Sequence, residues 1–300
     1  MTFENGNPNQ NETMRLLTSR ASCRDFADKA IPQDVLSAVL NAGIQAPTGG
    51  NLQPCSIVKV ENQETRTRLA RLCGNQGFIA KAPVNLVFCI DWRRLERWAS
   101  LEAAPFSATQ SFRHFWISFQ DTIICAQNIC TAADAVGLGS CYVGTVLECF
   151  RDLRELLELP DGVFPVVLLA IGYPRERPMP RRRLGIDVVV HDEVYHELDA
   201  EELLRAFEAK YEGFALEATE ERKAILEDVC RAVHGEEFAT DCLERIEETG
   251  HINAAQYRFG LHYRADRLPD RNEDLVQATE EAGFNWFKRA DMLAEKDGRN

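Results

Sequence analysis

The sequence predicts a domain in which strands and helices mix, followed from about residue 200 by a helical, acidic stretch. Strand-like apolar runs at residues 56–60, 84–90 and 164–171 are separated by helical patterns, but not in a strict βαβ repeat. No G-x-G-x-x-G, P-loop or H-E-x-x-H motif occurs, which weakens the common dinucleotide, phosphate-loop and zinc-protease readings. Charge changes along the chain: residues 1–199 carry 20 Lys and Arg against 23 Asp and Glu, whereas residues 200–300 carry 14 against 24.

The elements follow in order. An amphipathic helix is expected from Glu12 to Ser19. Pro32, followed by QDVLSAVLNAGIQA, predicts a helix that starts at proline, which lacks the N–H that a first turn leaves unpaired. Ser56 to Val60 and Val84 to Ile90 read as strands, with a helix from Gln63 to Cys73 between them. A long helix from about His114 to Val136 should stop at Gly137, a residue suited to a left-handed cap. Glu148 to Glu158 suggests another helix, and Phe164 to Ile171 a buried strand that stops at Gly172-Tyr173-Pro174. Beyond residue 200, Leu203, Leu204 and Phe207, then Ile225, Leu226 and Val229, keep helical spacing. The expected organisation is a flexible stretch at 1–11, a domain at 12–199 and an acidic helical extension at 200–300.

Composition narrows the function classes. The chain has 300 residues, 45% of them hydrophobic, enough for one large core and an appendage. Met1 to Asn11 is polar and lacks the apolar run of a signal peptide, so a cytoplasmic location is expected. The longest apolar stretch, Phe115 to Leu138, is broken by Gln120, Asp121, Gln127, Asn128 and Asp134. A membrane span needs about 20 mostly uncharged residues, so this stretch reads as a buried helix. The ten cysteines are scattered, without a C-x-x-C pair, and several sit in apolar runs, as Cys89 and Cys125 do. Reduced, packed thiols are expected, and no metal site. A net charge of −13 makes a poor nucleic-acid binder.

Three stretches carry candidate chemistry. Arg20-Ala21-Ser22-Cys23-Arg24 follows a helix, and two forked guanidinium groups flanking a serine suit an anion, although solvated surface arginines explain the string as well. Pro47-Thr48-Gly49-Gly50-Asn51-Leu52-Gln53-Pro54 has loop chemistry; Asn51 and Gln53 each offer a donor and an acceptor. An ordinary helix-to-strand turn accounts for its glycines but not for the Asn-x-Gln pair. In Gly137-Leu138-Gly139-Ser140-Cys141-Tyr142-Val143-Gly144-Thr145, backbone amides can face a ring nitrogen. Arg181-Arg182-Arg183 stands out in so acidic a protein, either as a compensating charge for a phosphate or as a solvated run.

In this order and spacing the stretches resemble the FMN-dependent nitroreductase family, from about Met14 to the closing segment VVVHDEVYHEL at Leu198; the C-terminal extension lies outside the resemblance. The resemblance implies an α+β fold: a central mixed, mainly antiparallel sheet flanked by helices. It also implies an intertwined homodimer with FMN at the subunit interface. Carried over by motif, Arg20, Ala21, Ser22 and Arg24 would bind the phosphate, ribityl or pyrimidine side of the flavin, with Arg181 and Arg183 on the phosphate. Pro47, Thr48, Gly49, Asn51 and Gln53 would reach the partner subunit's flavin. Tyr142, Val143 and Gly144 would cover one face, with the Gly144 amide toward flavin N5.

The implied activity is ping-pong transfer of hydride from NADH or NADPH, through the flavin, to a small acceptor such as a nitroaromatic or quinone. It requires no side-chain acid or base, so no catalytic residue is named. The alternatives are another redox reaction on the same fold, dehydrogenation or dehalogenation, and a flavin-binding regulatory protein without enzymatic activity. Cys55 stands where the family often has a bulky aromatic. Trp92, Trp98, Phe106, Phe112, Phe115 and Trp116 form either a lid over substrate or helix core.

Overall fold

The computed structural model describes residues 11–286. The flexible stretch expected at 1–11 lies outside them, except for Asn11, whose side chain accepts from the Met14 amide and caps α1 (Glu12–Ser19). α2 (Gln33–Ile44) begins just after Pro32, and β1 is Cys55–Val60. Then come α3 (Gln63–Leu72), α4 (Gly77–Lys81), β2 (Val84–Asp91), α5 (Trp92–Leu101) and α6 (Phe112–Ala135). β3 (Gly139–Val143), α7 (Phe150–Leu156) and β4 (Val163–Gly172) complete the first run of elements. β3 is a strand where the glycines alone suggest a loop, and α4 and α5 are helices without a signal in the sequence reading.

Among the described residues four strands form one sheet in the order β1-β2-β4-β3, and every neighbouring pair is antiparallel. β2 and β4 are buried along their whole length because helices cover both faces. Alternation divides their side chains. Leu86, Phe88 and Ile90 pack with Leu36 and Val39 of α2 and Ile129 of α6, while Val87 and Cys89 pack on the other side with Leu69, Ile79 and Leu153. α6 explains its own burial: Ser118, Asp121, Thr122, Cys125, Ala126, Ile129, Cys130, Ala133 and Asp134 repeat at steps of three and one, a single helical face.

The chain divides into two compact units, one reaching to Pro180 and resuming at Glu273, the other Arg181–Asn272. The second holds α8 (Ile186–Val189), α9 (Ala200–Lys210), α10 (Glu220–His234), α11 (Glu236–Thr249) and α12 (Ala254–Gln256), with a small core of Leu226, Cys242, Ile246 and Ile252. The last described helix, α13 (Asn272–Glu281), brings the chain back to the first unit, where Phe284 is fully buried.

α2 and α6 approach closely at Gly43, where an added Cβ would lie 2.3 Å from Ile129 Cγ1. Ile129 is itself fully buried and has nowhere to turn. Gly43→Val should therefore lower the unfolding free energy by about 1–3 kcal/mol, the usual cost of overpacking. Urea denaturation checks this, and an unchanged midpoint would show that the contact yields freely.

Candidate functional site

The segment Arg20–Phe26 runs beside β3. The Cys23 amide donates to the Ser140 carbonyl at 2.9 Å, and Phe26 bridges Pro174 at the other end. Gly139 makes the approach possible, since a Cβ there would stand 2.7 Å from Cys23 Cβ. Arg20 is half-buried; its Nε–H donates to Cys130 Sγ at 3.3 Å and its guanidinium carbon lies 5.9 Å from the centre of the Tyr142 ring. Its Nη2 is sealed from solvent without a hydrogen-bond partner. Ser22 reaches the Cys141 thiol; burial pushes that thiol up, while Arg24, Arg20 and Ser22 pull it down. Arg24 is exposed over the Phe78 ring. Tyr142 donates to Gln127 Oε1 at 3.4 Å, and burial pushes its hydroxyl up. Val143 is buried in the core beneath the sheet, so only its backbone is open to a ligand, and Gly144 is exposed.

The loop after α2 is held by a different stretch of α6. The Gly49 amide donates to both carboxylate oxygens of Asp121, at 3.2 and 3.1 Å. Within the loop, Asn51 N donates to Thr48 O at 3.0 Å and Gln53 N to Thr48 Oγ1 at 3.1 Å. Gly50, Asn51 and Gln53 are all left-handed, with φ of 60°, 54° and 51°. Arg94 of α5 secures the far end, donating to the carbonyls of Gln53 and Cys55 at 2.6 and 2.9 Å. Asp121 and Arg94 were invisible to motif reasoning: one reads as a polar break in an apolar run, the other as a surface charge. Asp121 and the Tyr142 partner Gln127 are six residues apart in α6, about 9 Å along its axis at 1.5 Å per residue.

The structure thus gathers Arg20, Ala21, Ser22, Tyr142, Val143 and Gly144, with Pro47, Thr48, Gly49, Asn51 and Gln53 on a separate, mostly exposed loop. Arg181 and Arg183 are exposed residues of the second unit; there Arg182 pairs with Glu212, and Arg183 borders a shallow cleft with Lys210, Ile186 and Val190. Cys55 is hydrogen-bonded to Cys125, and that bond and burial push its thiol up, as suits a packed pair. The aromatic group divides: Trp92 and Phe115 are core, with Phe106 5.6 Å from Trp92, whereas Trp98, Phe112 and Trp116 are exposed. His114 bonds Ser111 at 2.9 Å and lies edge-on to Trp92. Near the end of the chain, Trp286 lies 4.0 Å from Phe115, and Phe287 falls outside the described residues.

The model of the nitroreductase family matches residues 17–173. An FMN reductase [NAD(P)H] of Bacillus subtilis is 32% identical over 200 residues, 66% of this chain and 80% of that protein. An oxygen-insensitive NADPH nitroreductase of Salmonella typhimurium is 29% identical over 238 residues, 79% of this chain and 97% of that one. The solved NADPH:FMN oxidoreductase of Vibrio harveyi, complexed with NAD+, superposes with a TM-score of 0.62 at 31% identity, covering 67% of this chain and 86% of that one.

Asp121 gives a test of the loop anchor. Burial raises its carboxyl above the ordinary value of 3.8, against the pull of the Gly49 amide. The folded state therefore holds the proton more tightly, and this group's contribution to stability is lost as pH rises through its folded value. The unfolding free energy of wild type minus that of Asp121→Asn should fall as pH climbs from below 3.8. Denaturant titrations at several pH values check it; a difference independent of pH would leave the anchor without a buried charge.

Proposed function

The chain belongs to the nitroreductase family, and on that premise we propose that it is an FMN-dependent oxidoreductase passing electrons from NADH or NADPH to a small acceptor such as a nitroaromatic or quinone. The observation that carries this reading is the buried, unpartnered Nη2 of Arg20 beside Tyr142. Leaving such a donor unmade costs about 1–3 kcal/mol, so the place suits an anionic or oxygen-rich group, and the phosphate and ribityl chain of FMN offer both. Relatives named for FMN, for NAD(P)H and for nitro-compound reduction support the rest.

On this reading Arg20, Ala21, Ser22 and Arg24 contact the phosphate, ribityl or pyrimidine side, and Arg181 and Arg183 are assigned to the phosphate by motif alone. Tyr142 and the backbone of Val143 and Gly144 line one face of the ring. Bound FMN supplies the two-electron exchange between nucleotide and acceptor; the chain supplies orientation and positive charge. No side chain is required to move a proton.

The reading includes a homodimer, with Pro47, Thr48, Gly49, Asn51 and Gln53 completing the site of the second copy. Its support is a set of exposed apolar side chains on α2, the loop and α6: Ile44, Leu52, Phe112, Trp116 and Ile124. Trp116 and Ile124 are eight residues apart on α6, on one face. A cytoplasmic location is part of the proposal, supported by ten cysteines that stand as free thiols, the chemistry of a reducing compartment.

The purified protein should be yellow and release FMN, bleach with NADPH or NADH in a stopped-flow trace, and recover colour with a nitroarene or quinone. A colourless preparation that ignores added FMN would sink the reading. Arg183→Ala, and separately Arg20→Ala with Arg24→Ala, should each weaken FMN binding at least about tenfold, as loss of a charge-assisted contact does. Unchanged flavin content in either variant removes that residue set from the site. Ile124→Lys should shift the mass in light scattering from twice 33.9 kDa toward a single chain, and a single chain in the wild type would refute the dimer.

A further inference from the structure

Arg20 is sunk beside sulfur, and a flavin contact alone does not explain why. Its Nε–H points at Cys130 Sγ, which stands 3.1 Å from Ser140 Oγ. Cys130 and Ser140 are both buried. Sulfur is a weak acceptor, so it can steer the guanidinium without satisfying it. Four residues further on, Asp134 lies on the same face of α6. It is 9% exposed, and its Oδ2 is buried without a hydrogen-bond partner. Arg20 and Asp134 line one cavity of about 360 Å³, which Glu12, Arg15, Ser19 and Arg177 also line. Burial pushes the Asp134 carboxyl up, while Arg20 and then Arg177 pull it down, so the charges act on each other across that space.

We propose that Cys130 and Asp134 are positioning residues for Arg20: the sulfur fixes the Nε edge, the carboxylate balances the charge, and the Nη2 edge is left bare for an oxygen-rich group of the cofactor. The proposal rests on Arg20 being a flavin contact. Two alternatives of the same composition fail on physical grounds. A bidentate Asp–Arg pair would consume the donors that the ligand needs. An arginine with no carboxylate nearby would turn its head to water, since burying an uncompensated charge is costly. A carboxylate close enough to hold the charge, but not bonded to it, avoids both.

The test is titration of FMN into flavin-stripped protein, followed by quenching of FMN fluorescence, with circular dichroism as a check on folding. Asp134→Asn should weaken binding about tenfold, the size of one charge-assisted interaction, and Asp134→Glu should recover most of the loss. Cys130→Ala, which also serves if Asp134→Asn does not fold, should weaken binding about threefold, a fraction of one hydrogen bond's worth. Because both residues act through Arg20, neither loss should persist when Arg20→Ala is already present. A Cys130 or Asp134 variant that binds FMN like wild type, or losses that simply add to that of Arg20→Ala, would overturn the positioning role. Arg20→Ala binding FMN as tightly as wild type would instead overturn the flavin contact on which the role rests.

Discussion

A guanidinium taken partly out of water needs partners for the N–H groups it buries, and among the described residues Arg20 finds one weak acceptor, the sulfur of Cys130, while its buried Nη2 finds none. What makes this tolerable comes from α6 and β3 together: Cys130 and Asp134 from the helix, Ser140 and the face of Tyr142 from the strand. Their meeting depends on register. β3 pairs with β4 so that Ser140 lies opposite Ile171 and Tyr142 opposite Leu169. Ser140 and Tyr142, two residues apart, share a face, and a slip of one residue would send both to the other side of the sheet. The sheet edge therefore determines whether Arg20 can stay buried.

The same dependence on distant chain appears at the other end of α6. Phe115 is surrounded by Phe164 at 5.3 Å, Phe284 at 5.9 Å and Trp286 at 4.0 Å, two of them from beyond α13. Arg151 also binds Asp274 and Glu281 of α13, but those groups are largely exposed, and exposed pairs contribute little. Burial of Phe284 contributes more, about 1.5–3 kcal/mol for a fully buried large side chain. The returning segment is thus held mainly by its aromatic residues, and it braces the half of α6 from which Asp121 reaches the Gly49 loop.

The framework was legible where a local signal is strong. Pro32 marks the start of α2, alternation and β-branching mark β1, an apolar run broken only by Asn85 marks β2 as far as Ile90, and an unbroken one marks β4. β3 was not legible because its β-forming Tyr142 and Val143 are set among Gly137, Gly139 and Gly144, which read as a loop; its pairing is with β4, more than twenty residues later. Arg20-Ala21-Ser22-Cys23-Arg24 and the stretch Pro47 to Pro54 stand out in the sequence as motifs, but the groups that hold them do not. Asp121 and Asp134 look like interruptions in an apolar helix, useful only for arguing against a membrane span, and Cys130 looks like a small hydrophobe. Each faces a partner more than seventy residues away in sequence, Gly49 or Arg20, and no periodicity records that.

The Gly49 loop shows why such hidden groups are needed. A turn from α2 to β1 needs one left-handed residue at most, and Gly50 could supply it at little cost. Asn51 and Gln53 also adopt positive φ, at about 1–2 kcal/mol for each residue with a Cβ, somewhat less for asparagine. That conformation persists only if the surroundings over-determine it. Here Thr48 takes two of the loop amides, Asp121 takes a third, and Arg94 holds the carbonyl of Gln53. Two of these contacts lie within the loop itself, and two come from outside it, from Asp121 and Arg94. The conformation of the Asn-x-Gln pair is thus set partly by side chains of α5 and α6, which no turn motif in the sequence reveals.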